Sequence, residues 1–181
     1  MMAKATKQVY LLTGRPGTGK TSLIKQAVAG MRGKAGGFYT EEIRSGGVRE
    51  GFRLVTLDGQ HTILAHVDIR SPYRVSKYGV DIASLDRVGV SALNQAAKEG
   101  NLIIADEIGK MELFSANFRE AIWQIINSGK KVLGTIMFQA NPWADAIKRL
   151  PQVNLVEVTR ANHHRVLEEI LAWLEVDPSS N

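Results

Sequence analysis

The sequence predicts an α/β domain built on a mostly parallel β-sheet. Three observations carry that reading: an apolar run that breaks into a glycine loop and then a helix near the start, a cluster of β-prone runs joined by hairpin dipeptides, and regular alternation of helix and strand patterns from Ser91 to Leu174. A length of 181 residues suits one such domain with a core of its own, and two full domains would be cramped. The expected organisation is a single domain over 1–181 with an antiparallel β meander inserted at about 36–70.

Gln8 to Thr13 (QVYLLT) is suited to a buried strand, and Ser22 to Met31 reads as a helix that closes near Gly30 and Gly33. β-prone runs follow at Phe38 to Ile43, Gly51 to Leu57 and Thr62 to Val67, and the dipeptides Gly46-Gly47 and Asp58-Gly59 between them are hairpin turns. Pro72 opens a loop that continues through Arg74, Lys77 and Tyr78. The chain then alternates: helix at Ser91 to Lys98, strand at Leu102 to Ala105, helix at Phe118 to Asn127, strand at Lys131 to Ile136. Phe118, Ile122, Ile125 and Ile126 recur at helical spacing, which marks core. Asn141-Pro142 is a turn, a short helix covers Ala144 to Leu150, and Pro151 stops it. A strand at Val153 to Val158 precedes the last helix, Asn162 to Leu174, whose buried face is Val166, Leu167, Ile170, Leu171 and Leu174. The closing DPSSN residues are expected to fray. Crossover helices between parallel strands cover both faces of a sheet, and ligands then bind at the carboxyl ends of its strands.

Between the first strand and the first helix, Gly14-Arg15-Pro16-Gly17-Thr18-Gly19-Lys20-Thr21 matches G-x-x-x-x-G-K-[ST] in the strand–loop–helix order the motif requires. The glycines let the backbone curl so that the N–H groups from about Arg15 to Thr21 face inward, and the helix N-terminus adds its positive end. A polyphosphate supplies the missing acceptors. In such a loop Lys20 reaches the β- and γ-phosphates, and the Thr21 hydroxyl holds a Mg²⁺ that bridges them.

A second part of the site is predicted at the end of the apolar run Leu102-Ile103-Ile104-Ala105, where Asp106 and Glu107 form a Walker B arrangement. Asp106 is the expected Mg²⁺ partner, through a water, because a hard cation takes oxygen ligands and keeps much of its hydration on a phosphate. Glu107 is placed to orient or deprotonate an attacking water, so the pair favours hydrolysis. Lys110 and Glu112 follow closely enough to reach the pocket, although charged loop residues are more often exposed, and Thr135 ends the next strand at the same sheet edge. Phosphoryl transfer also needs positive charge beyond Lys20 and the metal. Arg15, Arg44, Arg74 and Lys77 are the candidates, and Arg74 is preferred.

Composition narrows the alternatives. The absence of cysteine removes disulfides, thiolate metal sites and thiol catalysis together. His61, His66, His163 and His164 lack the spacing of a transition-metal site. The net charge of +5 suits anionic partners, but no basic block or basic–aromatic alternation marks a nucleic-acid surface. No stretch has the length of a membrane span and MMAKATKQ has no signal-peptide core, so a cytoplasmic location is expected.

These residues resemble the cancer-related nucleoside-triphosphatases and their thermophile relatives. The matching stretches are the loop ending in GKT, the meander GGFYTEEIRSGGVREGFRLVTLDG, the RVSKYGVD segment around Arg74, the DEIGKMELFS run from Asp106, and LGTI at Leu133. The meander and DEIGKMEL are far more specific than the Walker motifs. The resemblance implies a three-layer P-loop NTPase sandwich of the additional-strand type, in which a strand lies between those carrying the two Walker motifs. It also implies that the Gly14 to Thr21 loop binds triphosphate, that Asp106 supports Mg²⁺, that Glu107 is the base, and that several nucleoside triphosphates are hydrolysed to diphosphate and phosphate. Members of that family often carry Asn-Arg after the last strand, where this chain has Asn162-His163. A nucleoside or nucleotide kinase is the alternative within enzymes, though no arginine-rich lid is evident. A nucleotide-switched nucleic-acid-binding protein is the alternative outside them.

Overall fold

In the computed structural model, which describes residues 7–176, the strand-and-helix alternation resolves into three layers. The closing DPSSN segment lies outside the described residues. Nine strands form one sheet: β1 (Val9–Thr13), β2 (Ala35–Ser45), β3 (Val48–Thr56), β4 (His61–His66), β5 (Arg74–Val75), β6 (Tyr78–Val80), β7 (Leu102–Ile108), β8 (Lys131–Ile136) and β9 (Val153–Glu157). Their order is β5-β6-β4-β3-β2-β7-β8-β1-β9. The pairs β2/β7, β7/β8, β8/β1 and β1/β9 are parallel, and the rest of the ladder is antiparallel.

Alternation along the parallel strands dictates the layers. Val9, Leu11, Ile103, Ala105 and Val132 project to one face, while Tyr10, Leu12, Leu102, Ile104 and Leu133 project to the other, and all are buried. Helices α3 (Ser91–Glu99), α4 (Ala116–Ile126) and α5 (Pro142–Lys148) cover the first face through Leu93, Phe118, Ile122 and Ile147. Helices α1 (Lys20–Ala29) and α6 (His163–Glu175) cover the second through Leu23, Ile24, Val166 and Ile170. Phe118, Ile122, Ile125 and Ile126 are buried as their spacing predicts. Among the described residues no helix is long and apolar enough to cross a membrane.

The structure departs from the expectations at four places. The meander is continuous with the core sheet, because Ala35 to Phe38 of β2 pair in parallel with Leu102 to Ala105 before the strand continues into the hairpin with β3. The loop expected from Pro72 contains a small hairpin, Arg74–Val75 against Tyr78–Val80. Helix begins well before Ser91: Asp81 caps α2 (Ile82–Ser84), its carboxylate accepting from the Ser84 N–H at 3.0 Å, and a π-helical turn at Leu85–Val90 leads into α3. Finally, Leu171 of α6 is 38% exposed, and Trp173 takes the buried position instead, its indole donating to the Lys7 carbonyl at 2.8 Å.

Candidate active site

The glycine loop leaves the carboxyl end of β1 and enters α1 at Lys20. Gly17 and Gly19 hold φ of +78° and +83°, a region that a residue with a Cβ avoids. Gly14 is required by close approach as well, since a Cβ there would stand 2.5 Å from the Val158 carbonyl oxygen. The Thr18 hydroxyl donates to the Arg15 carbonyl at 3.0 Å and tightens the curl. Lys20 Nζ folds back onto the loop, donating to the carbonyls of Gly14 at 3.0 Å and Arg15 at 2.9 Å. Burial lowers the pKa of its ammonium, and the charges of Glu107 and Asp106 oppose that shift.

Asp106 joins the two halves of the site. Its carboxylate is 1% exposed and accepts from Thr21 Oγ1 at 2.7 Å and from Thr135 Oγ1 at 2.6 Å. Thr135 therefore orients the Asp106 carboxylate, one strand over. Burial raises the Asp106 pKa, against the two hydroxyl hydrogen bonds and the charges of Lys25 and Lys20, which lower it. A register irregularity between Ala105 and Ile108 interrupts the β7/β8 ladder at Asp106-Glu107, and such bulges re-aim side chains at strand ends. Glu107 faces the cavity, and burial followed by the Asp106 charge pushes its carboxyl up.

That cavity, of about 580 Å³, is bounded by Gly14, Arg15, Pro16 and Lys20 on one side and by Glu107, Lys110 and Glu112 on another. Glu112 is the functional candidate that sequence reasoning undervalued. It is 4% exposed in a 3₁₀ turn, Glu112–Phe114, and burial together with the charges of Glu107 and Asp106 holds its carboxyl well above the ordinary range. The glycine of DEIGKMEL makes this crowding possible, because a Cβ at Gly109 would lie 2.4 Å from Glu107 Oε1 and 3.0 Å from Glu112 Oε2.

The remaining expected residues are distributed differently. Arg74 sits on the β5–β6 hairpin with its guanidinium on the carbonyls of Ile69 at 3.3 Å and Lys77 at 2.8 Å, while its neighbour Val75 lines the cavity. Arg44 lies on β2 and is tied to Glu42 at 2.7 Å. His163, which lacks the spacing of a metal ligand, reaches the glycine loop: its Nε2 is 3.3 Å from the Gly19 carbonyl oxygen and 2.8 Å from the place a Gly19 Cβ would occupy. Among the described residues no group of three or more His, Cys, Asp or Glu side chains could hold a metal. The Thr21 and Asp106 oxygens nevertheless fit a phosphate-bound Mg²⁺, which needs only one or two protein oxygens and takes the rest from phosphate and water.

Comparison with known proteins gives consistent results. A family model described as NTPase matches residues 9–171. The chain is 48% identical over 171 residues to nucleoside-triphosphatase THEP1 of Thermotoga petrophila, covering 94% of this chain and 95% of that one. It is 36% identical over 180 residues to the cancer-related nucleoside-triphosphatase homolog of Bos taurus, covering 91% and 95%. Among solved structures, THEP1 from Aquifex aeolicus superposes with a TM-score of 0.86 at 38% identity, covering 93% of this chain and 99% of that one. The solution structure of a human cancer-related nucleoside triphosphatase gives 0.78 at 36% identity, covering 97% and 99%.

Proposed function

Because the chain belongs to the NTPase family, we propose that it is a nucleoside-triphosphatase that hydrolyses the γ-phosphate of several nucleoside triphosphates with Mg²⁺. The observation that carries the reading is the continuous link from Thr21 through Asp106 to Thr135, with Lys20 and Glu107 facing one cavity. The loop's inward N–H groups bind the phosphates, and Lys20 Nζ exchanges its two loop carbonyls for phosphate oxygens. Thr21 and Asp106 are the residues that would hold the Mg²⁺, which would supply positive charge against the phosphate oxygens.

Glu107 orients a water and takes its proton as the water oxygen bonds to the γ-phosphorus and the bond from γ-phosphorus to the bridging oxygen breaks. The nucleoside diphosphate leaves with the bridging oxygen, and orthophosphate is the second product. Burial and the Asp106 charge raise the Glu107 pKa in the direction a base acting near neutrality requires. We assign Arg74 to the transferring phosphate as an additional positive charge, which requires its guanidinium to leave the carbonyls of its own hairpin. The strand order β7-β8-β1, with β8 between the strands that bear Asp106 and the glycine loop, supports the additional-strand subtype. A cytoplasmic location is part of the same proposal.

Orthophosphate release from ATP, GTP, CTP and UTP with Mg²⁺ tests the assignment. Lys20→Ala should abolish release, and Glu107→Gln should lower it by roughly 10²–10⁴-fold while nucleotide still binds. Wild-type binding of nucleotide without release would refute the proposal. Unchanged kcat in folded Arg74→Ala would remove that residue from the mechanism.

A further inference from the structure

We propose that the protein carries a second ligand site, a groove that binds an amphipathic organic anion at the same time as the nucleotide. The proposal takes only the location of the nucleotide from the functional reading above. The cavity beside the glycine loop, about 580 Å³, holds the γ-phosphate and an attacking water of about 30 Å³ at its glycine-loop end and extends beyond them. Its wall away from the loop is apolar, formed by Phe52, Leu64, Met111 and Met137. A second cavity of about 540 Å³ shares Phe52, Val75 and Met111 with the first. The two adjoin at those side chains, and both volumes lie in the range of small-molecule sites.

The outer part ends on three cations, Arg44, Arg49 and Lys77. Glu42 pairs with Arg44 at 2.7 Å and with Arg49 at 2.9 Å, so a single carboxylate answers two guanidinium groups. The Lys77 ammonium stands over the Tyr78 ring, 5.6 Å from its centroid. Positive charge therefore exceeds negative at this end. The arrangement matches a carboxylate, sulfonate or phosphate head on Lys77 and the arginines, with an apolar body along Phe52 and Met111 toward Glu107.

The test uses the full-length protein without turnover. Titration with the anionic probe 8-anilinonaphthalene-1-sulfonate should give a saturable fluorescence rise at one site, weakened by salt. It should be tighter than binding of the neutral analogue N-phenyl-1-naphthylamine. Mg²⁺ with a non-hydrolysable ATP analogue should leave the probe bound. Lys77→Glu, on an exposed hairpin, should weaken binding by roughly tenfold. Val75→Trp should block the neck and lose the signal. Both variants are to be checked for cooperative thermal unfolding. The proposal fails if the neutral probe binds as tightly, if neither substitution changes binding, or if the ATP analogue displaces the probe completely. Phosphate release is measured separately, so loss of this site leaves the hydrolase reading standing, and an inactive protein that binds the probe defeats only that reading.

Discussion

Thr135→Val isolates the hydrogen bond that fixes Asp106. The two side chains have nearly the same volume, so the substitution leaves no cavity and exchanges a hydroxyl for a methyl at a position that is 1% exposed. What is lost is the 2.6 Å donation to Asp106 Oδ1, and among the described residues the remaining side-chain donor to this carboxylate is Thr21 on Oδ2. A hydrogen bond to a charged group is worth roughly 1.5–3 kcal/mol, and the abandoned oxygen cannot reach water. For a chain of this length that corresponds to roughly 3–12 °C in Tm. Urea unfolding of wild type, Thr135→Val and Thr135→Ser at neutral pH is the assay. The serine variant keeps the donor and should recover most of the loss. A valine variant within about 0.5 kcal/mol of wild type at unchanged m would refute the reasoning. In that event the Asp106 carboxyl is not ionised in the free protein, or another group satisfies it.

Glu112→Gln tests the buried carboxyl. A carboxyl whose pKa is raised by folding supports stability below its unfolded pKa, about 4.3, and loses that support as pH rises. Burial raises Glu112, so the glutamine variant should have a higher urea midpoint than wild type at pH 8 and an equal one near pH 4, and a difference that does not change with pH would count against it. Gly37→Ala should cost about 3 kcal/mol or more in urea unfolding, because Gly37 has φ of +107° and its Cβ would stand 2.0 Å from the Ile104 carbonyl oxygen; a near-neutral effect would mean that β2 and β7 can separate. Ser115→Ala removes the α4 N-cap, which accepts from the Phe118 N–H at 3.0 Å and donates to Asp86, and should lower stability by about 1–2 kcal/mol. Unchanged unfolding would show that another group caps the helix.

Most of the parallel half of the sheet was legible because its strands are apolar runs bounded by turns, and the family resemblance through the meander and DEIGKMEL is borne out by the NTPase match. The start of β2 was hidden by Gly36-Gly37, a pair that discourages a strand reading. Those glycines are there because a Cβ on Gly36 would meet Ala96 Cβ at 2.7 Å, so close packing of α3 on the sheet, not propensity, decides the element. The helical stretch at 82–90 does show Ile82, Leu85 and Val88 at threefold spacing after Asp81, but Gly89 weakens the signal; its Cβ would lie 2.8 Å from Leu54 Cδ1. The β5–β6 hairpin is too short for any periodicity. Glu112 was obscured by its charge, since only the three-dimensional arrangement says that a loop carboxyl is buried beside another.

Strand β2 belongs to both parts of the sheet at once: its first four residues lie along β7 and the rest carry the hairpin. An engineer who tried to trim the meander away as a removable module would strip the Asp106-bearing strand of a neighbour and expose its edge amides. Conversely, a tag or insertion belongs at Gly46-Gly47, the hairpin tip, where added side chains meet nothing within 4 Å. Minimisation of this scaffold therefore has to proceed from the tip inward and stop at Phe38, the last β2 residue paired with β7.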